Sequence, residues 1–297
     1  MIDATDSILM FKKHLRDVGK SKATSESYVQ DVEGFMEFLR FAGLEIKSID
    51  AKAMLSYQHY LAEVCQAHHN SIRRSLIGVK QYFRYLELSG QITSSPLEMV
   101  AIPDRHDVTP PTLTKDSFTT LQTLVQKQTS VLKCTRDQTI LALIGIEGLK
   151  ISELVQLKQD DLLMGPGIYT LRINGERSRI ITLDQKTSGY IASYLEHLDI
   201  EKATHPALLN STALILGFRG KESLTPIPSI TRHGVKFLLY DLGAKAQLPH
   251  LNSETLRQFA MHHHVQKGLS AEALMNHFGL RRIGNLRIHL NQEALSP

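Results

Sequence analysis

The sequence predicts a mainly α protein with a small antiparallel sheet, built as a helical domain over residues 1–104, a linker at 105–111 and a second domain over 112–297. Three observations carry this. Apolar residues recur at helical spacing through the first hundred positions. A proline-rich stretch without apolar periodicity then breaks the pattern. Beyond it, otherwise helical sequence contains one alternating segment folded about Asn174 and Gly175.

In SESYVQDVEGFMEFLRFAG, residues Tyr28, Val32, Phe35, Phe38 and Leu39 fall on one helical face, and Gly43 stops the run. Residues 50–64 form a second candidate helix. SIRRSLIGVKQYFRYLEL follows, with Ile72, Leu76, Val79, Phe83 and Leu86 on one face. Arg73, Lys80 and Arg84 share another face, with Arg74 at its edge, interleaved with Tyr82 and Tyr85. Cations and aromatics so placed suit phosphate contacts; an ordinary solvated helix face is the plainer alternative.

SSPLEMVAIPDRHDVTPPTLTKDSF holds four prolines and reads as an extended linker. Thr114 then suits a helix N-cap, with the helix running to about Gln128. TRDQTILALIGIEGL reads as a buried helix closed by Gly148, and KISELVQL as a short second helix. IYTLRINGERSRIITL reads as a two-armed hairpin. Helices resume near Thr187 and continue to the end, interrupted at HPALLNSTALILGFRG and LTPIPS. No internal repeat is visible.

At 297 residues the chain accommodates two domains with buried cores. Apolar residues at 42% and charged residues at 22% exclude a disordered chain, and no run of about 18 apolar residues suits a bilayer. The opening MIDATDSILM lacks the basic region of a signal peptide. Cys65 and Cys134 are far apart and without a CxxC partner, which excludes a disulfide framework and a cysteine zinc site. A reducing, cytoplasmic setting is expected. The net charge is +4; residues through Arg105 net to zero, so the excess lies beyond, 21 basic against 17 acidic residues. Local basic stripes matter more than this total.

The stretch TRDQTILALIGIEGLKISELVQLKQDDL resembles the box of the tyrosine recombinases (phage integrase and Xer-type proteins) whose consensus runs T-G-L-R-I-S-E-L. In that family a small sheet follows, then L-R-H-x-F-A, L-G-H and a tyrosine. Here the hairpin follows in order. TLRQFAMHHHVQKG matches the second box with Arg257 at its arginine and Gly268 eleven residues on, and NHFG ends at Gly279, the glycine of L-G-H. The first hundred residues are similar to the family's helical core-binding domain, with its Y-x-x-D-V-x-x-F-x-x-F-L signature and basic helix ending Y-F-R-Y-L. The resemblance spans roughly residues 8 to 290.

The resemblance implies two domains that clamp duplex DNA. It also implies a tyrosine that attacks a phosphodiester to form a 3′-phosphotyrosyl link, two arginines on the phosphate oxygens, a hairpin lysine that protonates the leaving oxygen, and assisting histidines without a metal. Fixed cations then stabilise pentacovalent charge beside a positioned nucleophile. Position by position, this chain departs. Lys150 stands at the first arginine and lacks its bidentate fork, although the neighbouring acid Glu153 is present. Glu176 or Arg177 falls at the lysine, Glu254 at the histidine before the second arginine, Gln258 at the one after it, Leu280 at the L-G-H histidine and His289 at the tyrosine. Of the central set only Arg257 is unchanged.

These departures imply a DNA-binding fold whose site, at Arg257, Lys150 and His289, has lost tyrosine-based strand transfer. One alternative makes His289 an imidazole nucleophile; another makes the chain a regulatory partner of an active recombinase. The DNA-binding residues expected are Arg73, Arg74, Lys80, Arg84, Arg177, Arg281, Arg282 and Arg287. The partners expected are double-stranded DNA, with an active recombinase or further copies of the chain upon it, and no membrane. No cofactor is expected. Nor is a metal, because consecutive helical residues point about 100° apart and His262, His263 and His264 cannot converge on one ion. One of the three is expected to pack while the others face water or DNA. His277 is expected at a helix-end surface, with a place in the site as the alternative.

Overall fold

The computed structural model describes residues 4–281 apart from 96, 98–99, 106–112, 166 and 220–224. The fold is mainly helical with small antiparallel sheets, and it divides into two compact units, Met1–Val108 and Thr109–Pro297.

The first unit holds α1 (Ala4–Asp17), α2 (Lys22–Ala42), α3 (Ala51–Glu63) and α4 (His69–Leu88). Short polar side chains start two of them: Ser21 Oγ accepts from the Thr24 N–H and Asp50 Oδ1 from the Ala53 N–H. Gly43 ends α2 in the left-handed conformation, φ 64°. The apolar faces meet in one core that includes Phe11, Val32, Phe35, Phe38, Tyr57, Val79, Phe83 and Leu86. Each such large side chain contributes roughly 1.5–3 kcal/mol on burial. Tyr82 also belongs to this core, which corrects its reading as a phosphate-facing aromatic. It is fully buried, its hydroxyl bonds Ser7 Oγ at 2.8 Å, and the Phe11 ring packs edge-on against it.

The second unit is organised on α6 (Val131–Gly145), which is buried along most of its length. Packed on it are α5 (Lys115–Gln126), α8 (Gln185–Thr204) and α10 (Ser253–Gln266). Thr114 caps α5, its Oγ1 accepting from the Ser117 N–H at 3.1 Å. The hairpin of β2 (Tyr169–Ile173) and β3 (Arg179–Thr182) gains a third antiparallel strand, β1 (Leu162–Met164), in the order β1-β2-β3. Leu171, Ile173 and Ile181 face the core while Arg172 and Ile180 are exposed, the alternation of a sheet with one covered face. A two-stranded ribbon, β4 (Gly217–Phe218) and β5 (Pro226–Ile227), occupies the region read only as an interruption between helices. The remaining helices are the single turn α7 (Ile151–Leu154), α9 (Arg232–Lys245) and α11 (Ala271–Phe278).

Candidate functional site

Residues Ile146–Lys150 link α6 to α7, and α10, α11 and β3 all reach this turn. Gly148 has φ +70°, and a Cβ there would come within 2.0 Å of Phe278 Cε1, so only glycine permits α11 to pack so closely. The Gly148 carbonyl accepts from Arg257 Nε at 2.8 Å, which anchors the buried arginine of α10 two residues before Lys150. Arg257 Nη1 lies 3.3 Å from Glu254 Oε2, one helical turn earlier. Its Nη2 is buried without a hydrogen-bond partner.

Lys150 immediately precedes α7, and its backbone N–H donates to Glu153 Oε2 at 2.9 Å. Glu153 also receives Arg179 from β3, Nη1 to Oε1 at 2.9 Å and Nη2 to Oε2 at 3.1 Å. Burial alone would raise the Glu153 pKa, but the Arg179 hydrogen bonds, the Lys150 N–H and both cations hold it below its ordinary value. Arg179 Nε donates to the His277 carbonyl at 2.7 Å, which ties hairpin, α7 and α11 together. Arg177, Arg179, His277 and Leu280 line a cleft of about 570 Å³ between the hairpin and α11.

Three titratable side chains pack beneath the turn. His264 Nε2–H donates to the Ile146 carbonyl at 2.9 Å, and His277 Nε2–H to the Glu147 carbonyl at 3.0 Å. Glu147 Oε1 accepts from the Asp184 N–H at 2.8 Å. Burial pushes the Glu147 carboxyl up and the His264 imidazole down. Burial and the adjacent His264 ring lower His277 to about 4. His277 is therefore no helix-end surface residue: it is largely covered because α11 lies against the turn.

Of the residues singled out by sequence, the structure brings Arg257 to the turn leading into Lys150. Gln258 is buried, and Leu280 packs with Phe278. Glu176 and Arg177 occupy the hairpin tip, where exposed Arg281 lies 3.4 Å from Glu176 Oε2. His289, Arg282 and Arg287 lie outside the described residues. In the first unit Arg84 is exposed and Arg73 and Lys80 are partly so. Arg74, read as an edge contact, has its Nη2 2.9 Å from Asp31 Oδ1, an acid buried between α2 and α4. Arg179 and Glu147 were missed by sequence reasoning. An arginine in a hairpin arm and a glutamate in an apolar helix end were the available signals, and neither identifies its partner.

The domain described as "Phage integrase, N-terminal SAM-like domain" matches residues 8–90. The tyrosine recombinase XerC of Staphylococcus aureus (strain JH9) is 24% identical over 278 residues, covering 92% of this chain and 88% of XerC. The crystal structure of XerH site-specific recombinase bound to difH substrate, a pre-cleavage complex, superposes with a TM-score of 0.72 at 18% identity, covering 97% of this chain and 81% of XerH. A lambda integrase dimer bound to a COC′ core site gives 0.67 at 14% identity, with coverages of 98% and 78%. With the two boxes in order on this fold, the chain is similar to the tyrosine recombinases over nearly its whole length, and residues 8–90 match the phage integrase N-terminal domain.

Proposed function

We propose that this protein binds double-stranded DNA and acts in DNA recombination or integration, with tyrosine-based strand transfer lost. The observation that carries the second half is the Glu254–Arg257 pair. Arg257 is the retained phosphate-binding arginine of the family pattern, and a carboxylate 3.3 Å from its Nη1 competes for the guanidinium with a phosphate oxygen. Lys150 supplies a point charge where a bidentate fork is required. Leu280 offers no proton. Loss of one such transition-state donor costs about 3–4 kcal/mol, so three altered positions together remove the bulk of the catalytic stabilisation.

DNA binding requires less. It draws on cations positioned along a surface, and α4 with Arg73, Lys80 and Arg84 presents such a stripe. The DNA-bound structures that share the fold support this reading. The test is incubation with nicked duplex DNA. Retarded migration on a native gel together with no covalent adduct on a denaturing gel is expected. An adduct would overturn the loss of strand transfer, and no retardation would overturn DNA binding.

A further inference from the structure

We propose that Glu147, His264 and His277 form a binding site for a divalent transition-metal ion of the zinc class, which staples the α6–α7 turn to α10 and α11. The three come from separate elements, and one donor atom from each lies within 4.8 Å of the others. Each donor is already oriented by a second contact. Backbone carbonyls hold the two imidazoles by Nε2–H, and the Asp184 N–H holds one carboxylate oxygen. Metal-ligating histidines are characteristically held this way, one nitrogen donating to a carbonyl while the other presents its lone pair. His264 leaves Nδ1 for this, whereas the His277 nitrogen 3.7 Å from Glu147 Oε2 is Nε2, so His277 must turn to offer Nδ1.

Two atoms inside the cluster lack any hydrogen-bond partner although their residues are more than nine-tenths buried. They are His264 Nδ1 and Glu147 Oε2, the latter with His277 Nε2 no nearer than 3.7 Å. Both are lone-pair donors, and a cation between them satisfies both. Two imidazoles and one carboxylate are the nitrogen–oxygen set that suits Zn²⁺, with water as a fourth ligand. Donors around a tetrahedral ion at about 2 Å stand roughly 3.3 Å apart, so separations of up to 4.8 Å must close by as much as about 1.5 Å. The His262 and His263 side chains belong to no such cluster among the described residues.

An ion here would act on the rest of the site through the chain. Glu147 adjoins Gly148, whose carbonyl holds Arg257, and His277 lends its carbonyl to Arg179. The staple would therefore stiffen the cradle around both arginines without touching phosphate, a role independent of whether strand transfer survives.

The test uses tag-free full-length protein, stripped with chelator and titrated with Co²⁺ in place of Zn²⁺. One equivalent of Co²⁺ should develop the intense visible d–d absorption of four-coordinate cobalt, Zn²⁺ should displace it, and Zn²⁺ should raise Tm by several degrees. Glu147→Gln and His277→Asn should each weaken metal binding at least tenfold, whereas His263→Ala should leave it unchanged. Absence of both the Co²⁺ band and the Zn²⁺ shift in wild type would overturn the site, as would binding that survives Glu147→Gln and His277→Asn. The wild-type titration alone decides if either variant fails to fold.

Discussion

Glu153 and Arg179 meet through two parallel hydrogen bonds, 2.9 and 3.1 Å, with both side chains only about a tenth exposed. The pair joins the turn after Lys150 to the arm of the hairpin. Removing one member leaves the other charged and buried, which typically costs 3–5 kcal/mol. Arg179→Ala is expected to lower unfolding stability by about that amount in urea titration. A loss below ~1 kcal/mol would show that the pair is dispensable.

The same carboxylate sets an acid sensitivity. The folded-state pKa of Glu153 lies below its ordinary value of 4.5. Its contribution is therefore fully present above that value and is lost as pH falls through the folded-state pKa. Wild-type Tm should drop on acidification below about pH 4.5, and Glu153→Gln should show a shallower drop from a lower starting point. Parallel curves for the two proteins would contradict this assignment.

On α4, Arg73, Lys80 and Arg84 are expected to lie against phosphates. Replacing all three should weaken duplex binding and reduce the slope of log K against log salt by about 0.9 for each phosphate no longer neutralised. Arg74→Ala should change that slope less, because its guanidinium already bonds Asp31. An unchanged slope in the triple variant would remove this helix from the interface.

Glu254 Oε2 lies 3.3 Å from Arg257 Nη1, the atom proposed to meet phosphate. Like charges about 4 Å apart repel by roughly 1 kcal/mol in water-like surroundings, so Glu254→Gln should tighten duplex binding about fivefold. Equal or weaker affinity, measured by fluorescence anisotropy, would mean that phosphate does not approach Arg257.

On the proposed reading, in which Lys150, Glu254 and Leu280 leave the phosphate clamp incomplete, His289→Tyr is expected to restore no cleavage. Wild type, His289→Ala and His289→Tyr should bind DNA alike and form no adduct. A wild-type adduct absent from His289→Ala would make the histidine a nucleophile.

The sequence by itself determined most of the helices, the hairpin and their order. Apolar periodicity marked α2 and α4, Gly43 marked the end of α2, and Asn174-Gly175 marked the hairpin, because each signal arises among residues a few positions apart; Gly148, read as closing α6, lies in the turn three residues beyond its end at Gly145. The two boxes of the resemblance were legible for the same reason. The three-residue β1 escaped because so short a strand exists only by pairing with β2. Tyr82 misled because a tyrosine beside basic residues suits either phosphate or core, and only the position of α1, which brings Ser7 and Phe11 to it, selects the core. Tertiary structure alone decided the environment of the site. Arg179 finds Glu153 across 26 positions and His277 finds the Glu147 carbonyl across 130. Closing the chain over such separations depends on the packing of α10, α11 and the sheet on α6, and burial of the resulting cluster is what raises Glu147 and lowers His277.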